Sequence, residues 1–151
     1  MADRPIIFSA PMVRALLKGR KTQTRRVLVN SGPGRGRSNI FSAQIGWSDS
    51  YVLDPGNANW RERDTPYAPG DRLWVREAFS YESLDVDRNG FMPPWYWADG
   101  NPESGDFTRP KPSIHMPRWA SRLTLLVTDV RVQRLQEISS ADAIAEGCQP
   151  Y

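Results

Sequence analysis

Residues 19–26 read Gly-Arg-Lys-Thr-Gln-Thr-Arg-Arg, a stretch with four cationic side chains and two hydroxyl groups. The preceding apolar residues recur at helical spacing and predict a helix over residues 11–18. A Val-Leu-Val run after the stretch predicts a strand over residues 24–29. Gly19 suits the end of the helix, because glycine adopts positive φ without a Cβ penalty. The pattern therefore predicts a helix-to-strand corner.

Two interpretations of this corner are open. In one, the amine of Lys21 and the hydroxyls of Thr22 and Thr24 converge on a cleft, where they bind or act on a ligand. In the other, the stretch is a solvated basic turn, since runs of charge are commonly solvated faces.

The composition is that of one folded domain. A chain of 151 residues with 39% hydrophobic and 25% charged residues is long enough for a core and unlike a disordered segment. The formal charge is only +3, but Lys18, Lys21 and Lys111 are the sole lysines among 20 basic residues. An arginine bias favours contacts with oxyanions or nucleic acid, although GC-rich coding produces the same bias.

Several classes of protein are disfavoured. A single cysteine, Cys148, allows no internal disulfide and no cysteine zinc site. No apolar run approaches the ~20 residues that span a bilayer, and residues 1–4 lack the apolar segment of a signal peptide. We therefore expect a cytoplasmic protein with no membrane partner, no metal and no cofactor.

Residues 70–79 predict a strand after a Pro-Gly-Asp turn. Alternation places Leu73, Val75, Glu77 and Phe79 on one face. Glu77 among apolar neighbours has two interpretations: a charge that lines a cavity, or a carboxylate at the rim paired with an arginine. We favour the second, because acidic side chains are rarely buried without a partner.

Two polar, proline-rich segments, about 30–69 and 80–112, interrupt the pattern as insertions. The first predicts a weak hairpin. The second contains Trp95-Tyr96-Trp97, which is either a stacking platform for bases or a lid packed on the body.

The C-terminal third predicts one long strand and one short helix. Alternating apolar and threonine residues indicate a strand over residues 123–132. Ser139 or Ser140 is predicted to cap a helix over residues 141–146, with Asp142 three residues after Ser139 as in a capping box, and Gly147 ends that helix. Several strands with two short helices predict an α+β barrel or open roll.

Three blocks, residues 19–26, 70–77 and 114–122, resemble the ASCH domain family in its phage and prophage branch. The resemblance implies a single PUA-like β-barrel over residues 1–151, with two short helices, two long insertions and a cleft beside residues 19–26. Members of that branch continue with a further helix and a closing strand, so we expect the chain to be C-terminally truncated.

The family is generally proposed to bind RNA or nucleotides, and we predict that function here. The expected ligand-binding residues are the polar, cationic and aromatic side chains of the three blocks: Arg20, Thr22, Arg25, Arg26, Trp74, Arg76, His115, Arg118 and Trp119. Arginines would contact phosphate while Trp74 or Trp119 stacks on an unpaired base. His115 is the only histidine, and a structural role for it is the commoner case.

Two alternatives remain. Small ASCH amidohydrolases deacetylate N(4)-acetylcytidine with a lysine, a threonine and a glutamate, which the resemblance places on Lys21, Thr24 and Glu146. In that mechanism Thr24 attacks, a Lys21 amine of lowered pKa takes its proton, Glu146 passes a proton to the leaving amine, and Arg26 stabilises the oxyanion. A turn or bulge between Lys21 and Thr24 is required, because a strand would point them to opposite faces. The other alternative is an inert prophage remnant or a phage-assembly interaction protein.

Overall fold

The computed structural model describes residues 1–26, 67–81, 94–131 and 133–149. The described residues contain five strands and two helices, in the order β1 (Asp3–Ile7), α1 (Ala10–Leu17), β2 (Arg72–Arg76), β3 (Phe79–Ser80), β4 (Trp95–Tyr96), β5 (Thr124–Leu126) and α2 (Ser140–Ala145). Short 3-10 turns lie at Trp97–Asp99, Ser113–His115, Arg118–Ala120 and Leu135–Glu137. The described fold is mixed α+β, as predicted.

The larger sheet has three strands in the order β1-β2-β5. β1 runs parallel to β2, with Ile7 opposite Arg76, and β5 runs antiparallel to β2, with Thr124 opposite Trp74. One face of this sheet carries the main core, in which Val13 of α1 packs with Leu73 and Val75 of β2. The other face is mostly exposed.

The predicted face of residues 70–79 is confirmed, since Leu73, Val75, Glu77 and Phe79 are all buried. The prediction of one continuous strand is wrong. β2 ends at Arg76, and the chain resumes pairing at Phe79, which lies opposite Tyr96 in a separate two-stranded sheet. The predicted strand is therefore divided in two: β2 pairs with β1 and β5, whereas β3 pairs with β4.

Glu77 is paired with an arginine, as predicted, but it is buried rather than at the rim. Only 2% of its surface is exposed, and its two carboxylate oxygens accept hydrogen bonds from Nε and Nη2 of Arg122 at 2.9 and 3.0 Å. Arg122 also binds the partly exposed carboxylate of Asp99 and stacks over the Tyr96 ring at 4.1 Å. Burial lowers the pKa of Arg122, but the hydrogen bonds to both carboxylates outweigh it and raise that pKa above its usual value.

The tryptophan-rich cluster is packed on the body. The Tyr96 hydroxyl donates to the Ala120 carbonyl at 2.7 Å, and Trp97 Nε1 donates to Ser80 Oγ at 2.8 Å. A second small core of Phe79, Met116 and Ala120 lies against Tyr96. The two rings thus join β4 and the turn after it to neighbouring residues, which favours the packed interpretation over a stacking platform.

Both helix ends follow the predicted chemistry. Gly19, with φ of +68°, ends α1 in a Schellman motif, because its N–H donates to Leu16 and the next N–H to Ala15. Gly147 ends α2 in the same way, with φ of +96°. The predicted capping box of Ser139 and Asp142 is confirmed at the start of α2.

Three other predictions need correction. Residues 24–26 form no strand, and 27–29 lie outside the described residues, as does most of the predicted hairpin. Of the strand predicted over residues 123–132, the described residues form a strand only at Thr124–Leu126, which pairs with residues 72–74 of β2. Within the described part of the chain, the two sheets do not close into a barrel.

The turn before β2 contains a buried carboxylate, that of Asp71. The buried carboxylate of Asp71 accepts hydrogen bonds from the main-chain N–H groups of Ala2 at 2.7 Å and Ala68 at 3.1 Å. The Ala2 bond is the main reason that the pKa of Asp71 lies below its usual value. A carboxyl with a lowered folded-state pKa stabilises the fold above its unfolded pKa and loses that contribution as pH falls.

We therefore expect the free energy of unfolding to decrease as pH falls below about 4, the ordinary range for aspartate. An Asp71→Asn variant should be less stable at neutral pH and should lose less stability on acidification than the parent chain. Urea titrations at neutral and acidic pH measure both effects. Identical pH profiles for the two proteins would contradict this assignment.

Candidate functional site

Lys21 is the centre of the predicted site and is buried, with 6% of its surface exposed. Its Nζ donates to the carbonyl oxygens of Gln23 at 2.7 Å and Glu146 at 2.8 Å. Lys21 and Glu146 are 125 positions apart in the sequence, so the tertiary fold brings the two together. The ammonium thereby lies at the carboxyl end of α2, where the helix dipole favours a cation.

The two helix ends meet beside this lysine. The Lys21 N–H donates to the Ala15 carbonyl of α1, while the N–H groups of Thr22 and Gln23 donate to the Ala145 carbonyl of α2. Residues 21–23 are therefore bound to both helices through the main chain as well as through the lysine side chain.

Gly147 permits this close approach. A Cβ at this position would lie 3.0 Å from Ala15 Cβ and 3.4 Å from Lys21 Cβ. We expect Gly147→Ala to destabilise the protein by about 2 kcal/mol, because it combines overpacking with a positive φ. Gly100→Ala is the matched control: its φ is +102°, but a Cβ there meets nothing within 4 Å. Equal losses in thermal or urea unfolding would show that close packing at Gly147 is unimportant.

The electrostatics of Lys21 combine opposing effects. Burial is the main influence and lowers its pKa; Glu146 raises it, and Arg26 lowers it again. The net pKa lies below the ordinary value for lysine. The direction matches the requirement of the amidohydrolase hypothesis, and burial and Arg26 are its causes.

The carboxylate of Glu146 does not face the amine as a hydrogen-bond partner. It pairs with Arg25 Nη1, and Asp142 lies 3.5 Å from Arg25 Nη2. Asp142 and Glu146 are four residues apart, so a helical spacing places both carboxylates on one side of α2. Arg25, predicted to bind a ligand, is thus held within the protein.

Four other residues of this stretch are exposed and are called the rim below: Arg20, Thr22, Thr24 and Arg26. Residues 21–26 have no regular secondary structure, so the strand geometry that would point Lys21 and Thr24 to opposite faces does not apply. Arg20 is exposed, with Nη1 3.4 Å from the Gly147 carbonyl. Arg26 is also exposed; its Nη2 donates to the Ile7 carbonyl at 2.8 Å and its guanidinium lies 5.3 Å from the Phe8 ring centre.

The residues of the second and third blocks form a separate group on the sheet. The Trp74 ring has the guanidinium groups of Arg76 and Arg118 at 5.2 and 5.8 Å. Arg76 donates to the carbonyls of Met116 and Ile114, so it fastens that segment to β2. Arg118 donates to Asp3 Oδ2 at 2.9 Å.

Two further predicted residues lie at the edge of this group. The Trp119 ring is 51% exposed and stacks on Tyr81 with ring centres 5.8 Å apart. His115 is exposed in the Ser113–His115 turn. The geometry does not join His115 to Lys21 or Glu146 through any described contact.

Sequence reasoning missed three contributors to the Lys21 site. The Gln23 carbonyl accepts from the lysine, Asp142 faces Arg25, and Gly147 makes room for the lysine stem. Asp142 and Gly147 were predicted only as helix signals. The four-residue spacing of Asp142 and Glu146 is the sequence signal that could have suggested an acidic pair.

Within the described ranges, no group of three His, Cys, Asp or Glu side chains is arranged to hold a metal ion. In the same ranges, every helix is too short or too polar to cross a bilayer. Comparison of the chain with protein-family models, with curated proteins and with solved structures finds no match in any of the three.

Proposed function

We propose that this protein binds RNA or a modified nucleotide through residues 20–26. The observation that carries the proposal is the anchoring of this stretch by buried Lys21, whose amine donates to the Gln23 and Glu146 carbonyls. The anchor fixes an irregular segment that presents exposed hydroxyl and guanidinium groups. Such preorganised donors suit phosphate and sugar oxygens, because little conformational freedom is lost on binding.

The charge on the rim supports the same proposal. Arg20 and Arg26 are exposed, and each makes only one hydrogen bond to a main-chain carbonyl within the described residues. A guanidinium has five N–H donors, so both can contact phosphate without losing their present partners. Thr22 and Thr24, also exposed, add hydroxyl groups between them.

The resemblance of three sequence blocks to ASCH domains agrees with this function. We propose on that basis that the β1-β2-β5 sheet is part of a PUA-like fold of the phage and prophage type. In that family the cleft lies beside the segment that corresponds to residues 20–26, which here follows the end of α1 at Gly19.

Binding is tested by titrating a labelled single-stranded RNA at about 50 mM and about 200 mM salt. The Arg20→Ala/Arg26→Ala double variant should bind at least tenfold more weakly at the lower salt concentration. Its salt slope should be smaller by about 1.4, since each contact with a single strand contributes about 0.7. Arg109→Ala/Arg131→Ala is the charge-matched control, because both of those arginines are exposed and lie in other segments. Equal affinities for the two double variants would overturn the proposal.

A second candidate function is hydrolysis of an acylated cytidine, and one observation favours it. Lys21 and Glu146 are brought together, and burial lowers the pKa of the lysine. In this reaction Thr24 Oγ would attack the acetyl carbon, Lys21 would take its proton, the carbon–nitrogen bond would break with a proton delivered to nitrogen, and water would release acetate. For these roles the Lys21 amine would have to leave the carbonyl oxygens that it now binds. The Glu146 carboxylate would likewise have to leave Arg25.

Incubation with N(4)-acetylcytidine at neutral pH tests this candidate. Thr24→Ala should abolish turnover while Thr22→Ala, at a neighbouring exposed threonine, should retain it. Absence of turnover by the folded parent chain would eliminate the hydrolase. Absence of both turnover and RNA binding would favour the inert or phage-assembly alternative.

A further inference from the structure

The outer face of the three-stranded sheet carries cationic and apolar side chains together. In β2 the buried residues alternate with Arg72, Trp74 and Arg76, which therefore share the face opposite the core. The neighbouring strands add exposed apolar residues at both sides. Ile7 of β1 is 43% exposed, and Leu126 of β5 is 63% exposed.

Two arginines lie against the central tryptophan of this face. The guanidinium carbons of Arg76 and Arg118 are 5.2 and 5.8 Å from the Trp74 ring centre. Arg118 is oriented by Asp3 on one side and by Thr124 Oγ1 on the other, at 2.9 and 3.4 Å. Guanidinium planes held in this way offer faces on which bases stack and edges that bind phosphate.

The outer face is continuous with residues 20–26. Arg26 donates to the Ile7 carbonyl, and Ile7 lies directly opposite Arg76 in the parallel pair of β1 and β2. Arg26 is therefore at the carboxyl end of β1, whereas Arg118, through Asp3, is at its amino end. Four residue steps separate Asp3 from Ile7, which is about 13 Å along an extended strand.

We infer that the ligand is a single-stranded RNA several nucleotides long, which runs from Arg26 across Trp74 to Arg118. This inference rests on the proposed function and names its ligand class: an oligonucleotide rather than a free nucleotide. Charge complementarity favours a polyanion, because Arg72, Arg76 and Arg118 share the face with a single carboxylate, that of Asp3, among the β1, β2 and β5 residues. The exposed apolar residues suit unpaired bases, which a duplex does not present.

The test compares uridine monophosphate with oligouridylates of increasing length. Affinity should rise at least tenfold from the mononucleotide to an oligomer of about eight nucleotides, a length within the usual range for one small domain. Arg118→Ala should weaken oligomer binding about five- to tenfold, a larger factor than its effect on mononucleotide binding. Arg26→Ala should weaken both, because Arg26 belongs to the anchored stretch.

Arg131→Ala is the matched control, since Arg131 also forms an exposed ion pair with an aspartate, Asp129, at 3.3 Å. Equal affinity for the mononucleotide and the oligomers, or equal behaviour of the Arg118 and Arg131 variants, would overturn the extended site while leaving nucleotide binding intact. Failure of every nucleotide to bind would overturn the proposed function as well.

A second copy of the chain is the competing occupant of this face. Sedimentation of the protein without RNA distinguishes the two cases. A concentration-dependent dimer that Leu126→Arg abolishes would assign the face to self-association and overturn the RNA site. A monomer in the parent chain, together with length-dependent RNA binding, is the expected result.

Discussion

The Arg122→Leu variant is expected to lose about 3–5 kcal/mol of unfolding free energy, because it leaves a buried carboxylate without its partner. Glu77 is 2% exposed, and both of its oxygens bind the Arg122 guanidinium. Asp99, the other partner of Arg122, is exposed enough to be solvated in the variant. Urea unfolding monitored by tryptophan fluorescence measures the loss.

A double variant tests whether the loss comes from the unpaired Glu77 carboxylate. Glu77→Leu/Arg122→Leu should be more stable than Arg122→Leu alone, since it removes the stranded charge along with its partner. Arg118→Leu provides the exposed comparison: its ion pair with Asp3 is about 40% exposed on both sides, and such pairs contribute about 0–1 kcal/mol. A loss below about 1 kcal/mol in Arg122→Leu would show that Glu77 is not dependent on this arginine.

The Lys21→Met variant is expected to lose about 2–4 kcal/mol, because two main-chain carbonyls would lose a charged donor. Methionine keeps much of the apolar stem of lysine, so the loss reports mainly on the amine. The affected carbonyls belong to Gln23 and Glu146. Thermal or urea unfolding of the variant and the parent chain measures the difference.

Lys18→Met is the matched control, since Lys18 is exposed three residues earlier at the end of α1. This surface change should alter stability by no more than about 0.5 kcal/mol. If the two variants were equally stable, the amine of Lys21 would not be the anchor of residues 21–23. The proposal that these residues form a preorganised binding segment would then lose its basis.

This structural role affects how activity data on Lys21 are interpreted. A Lys21 variant that fails to bind or hydrolyse a substrate can fail because residues 21–23 are no longer anchored. Thr24 is exposed, so its substitution tests the hydrolase without disturbing a buried contact. Arg20 and Arg26 test nucleotide binding in the same way.

The predictions that succeeded were those with local causes. The helix before Gly19, the capping box at Ser139 and the left-handed turn at Gly147 depend on residues within a few positions of each other. The buried face of residues 73–79 follows from alternation alone, which is also a local property. These features could be predicted without knowledge of the rest of the chain.

The predicted site was only partly accessible from the sequence. The resemblance predicted Lys21 and Glu146 as residues of one site, and in the structure the Lys21 amine donates a hydrogen bond to the Glu146 carbonyl. The carboxylate of Glu146, however, pairs with Arg25, and Arg76 is fastened to carbonyls of its own fold. Which arginines remain exposed for a ligand depends on these internal partners, and no spacing in the sequence specifies them.

The sequence by itself determined the α+β class, the two short helices with their ends, and the apolar face of β2. Only the tertiary structure decided that Lys21 is buried, that Glu77 is buried against Arg122, and that β5 spans only Thr124–Leu126. Caps, turns and alternation arise from interactions between near neighbours, whose geometry is fixed by the backbone. The pairing of a buried charge depends on groups 45 or 125 positions away, which only packing of the whole domain brings into contact.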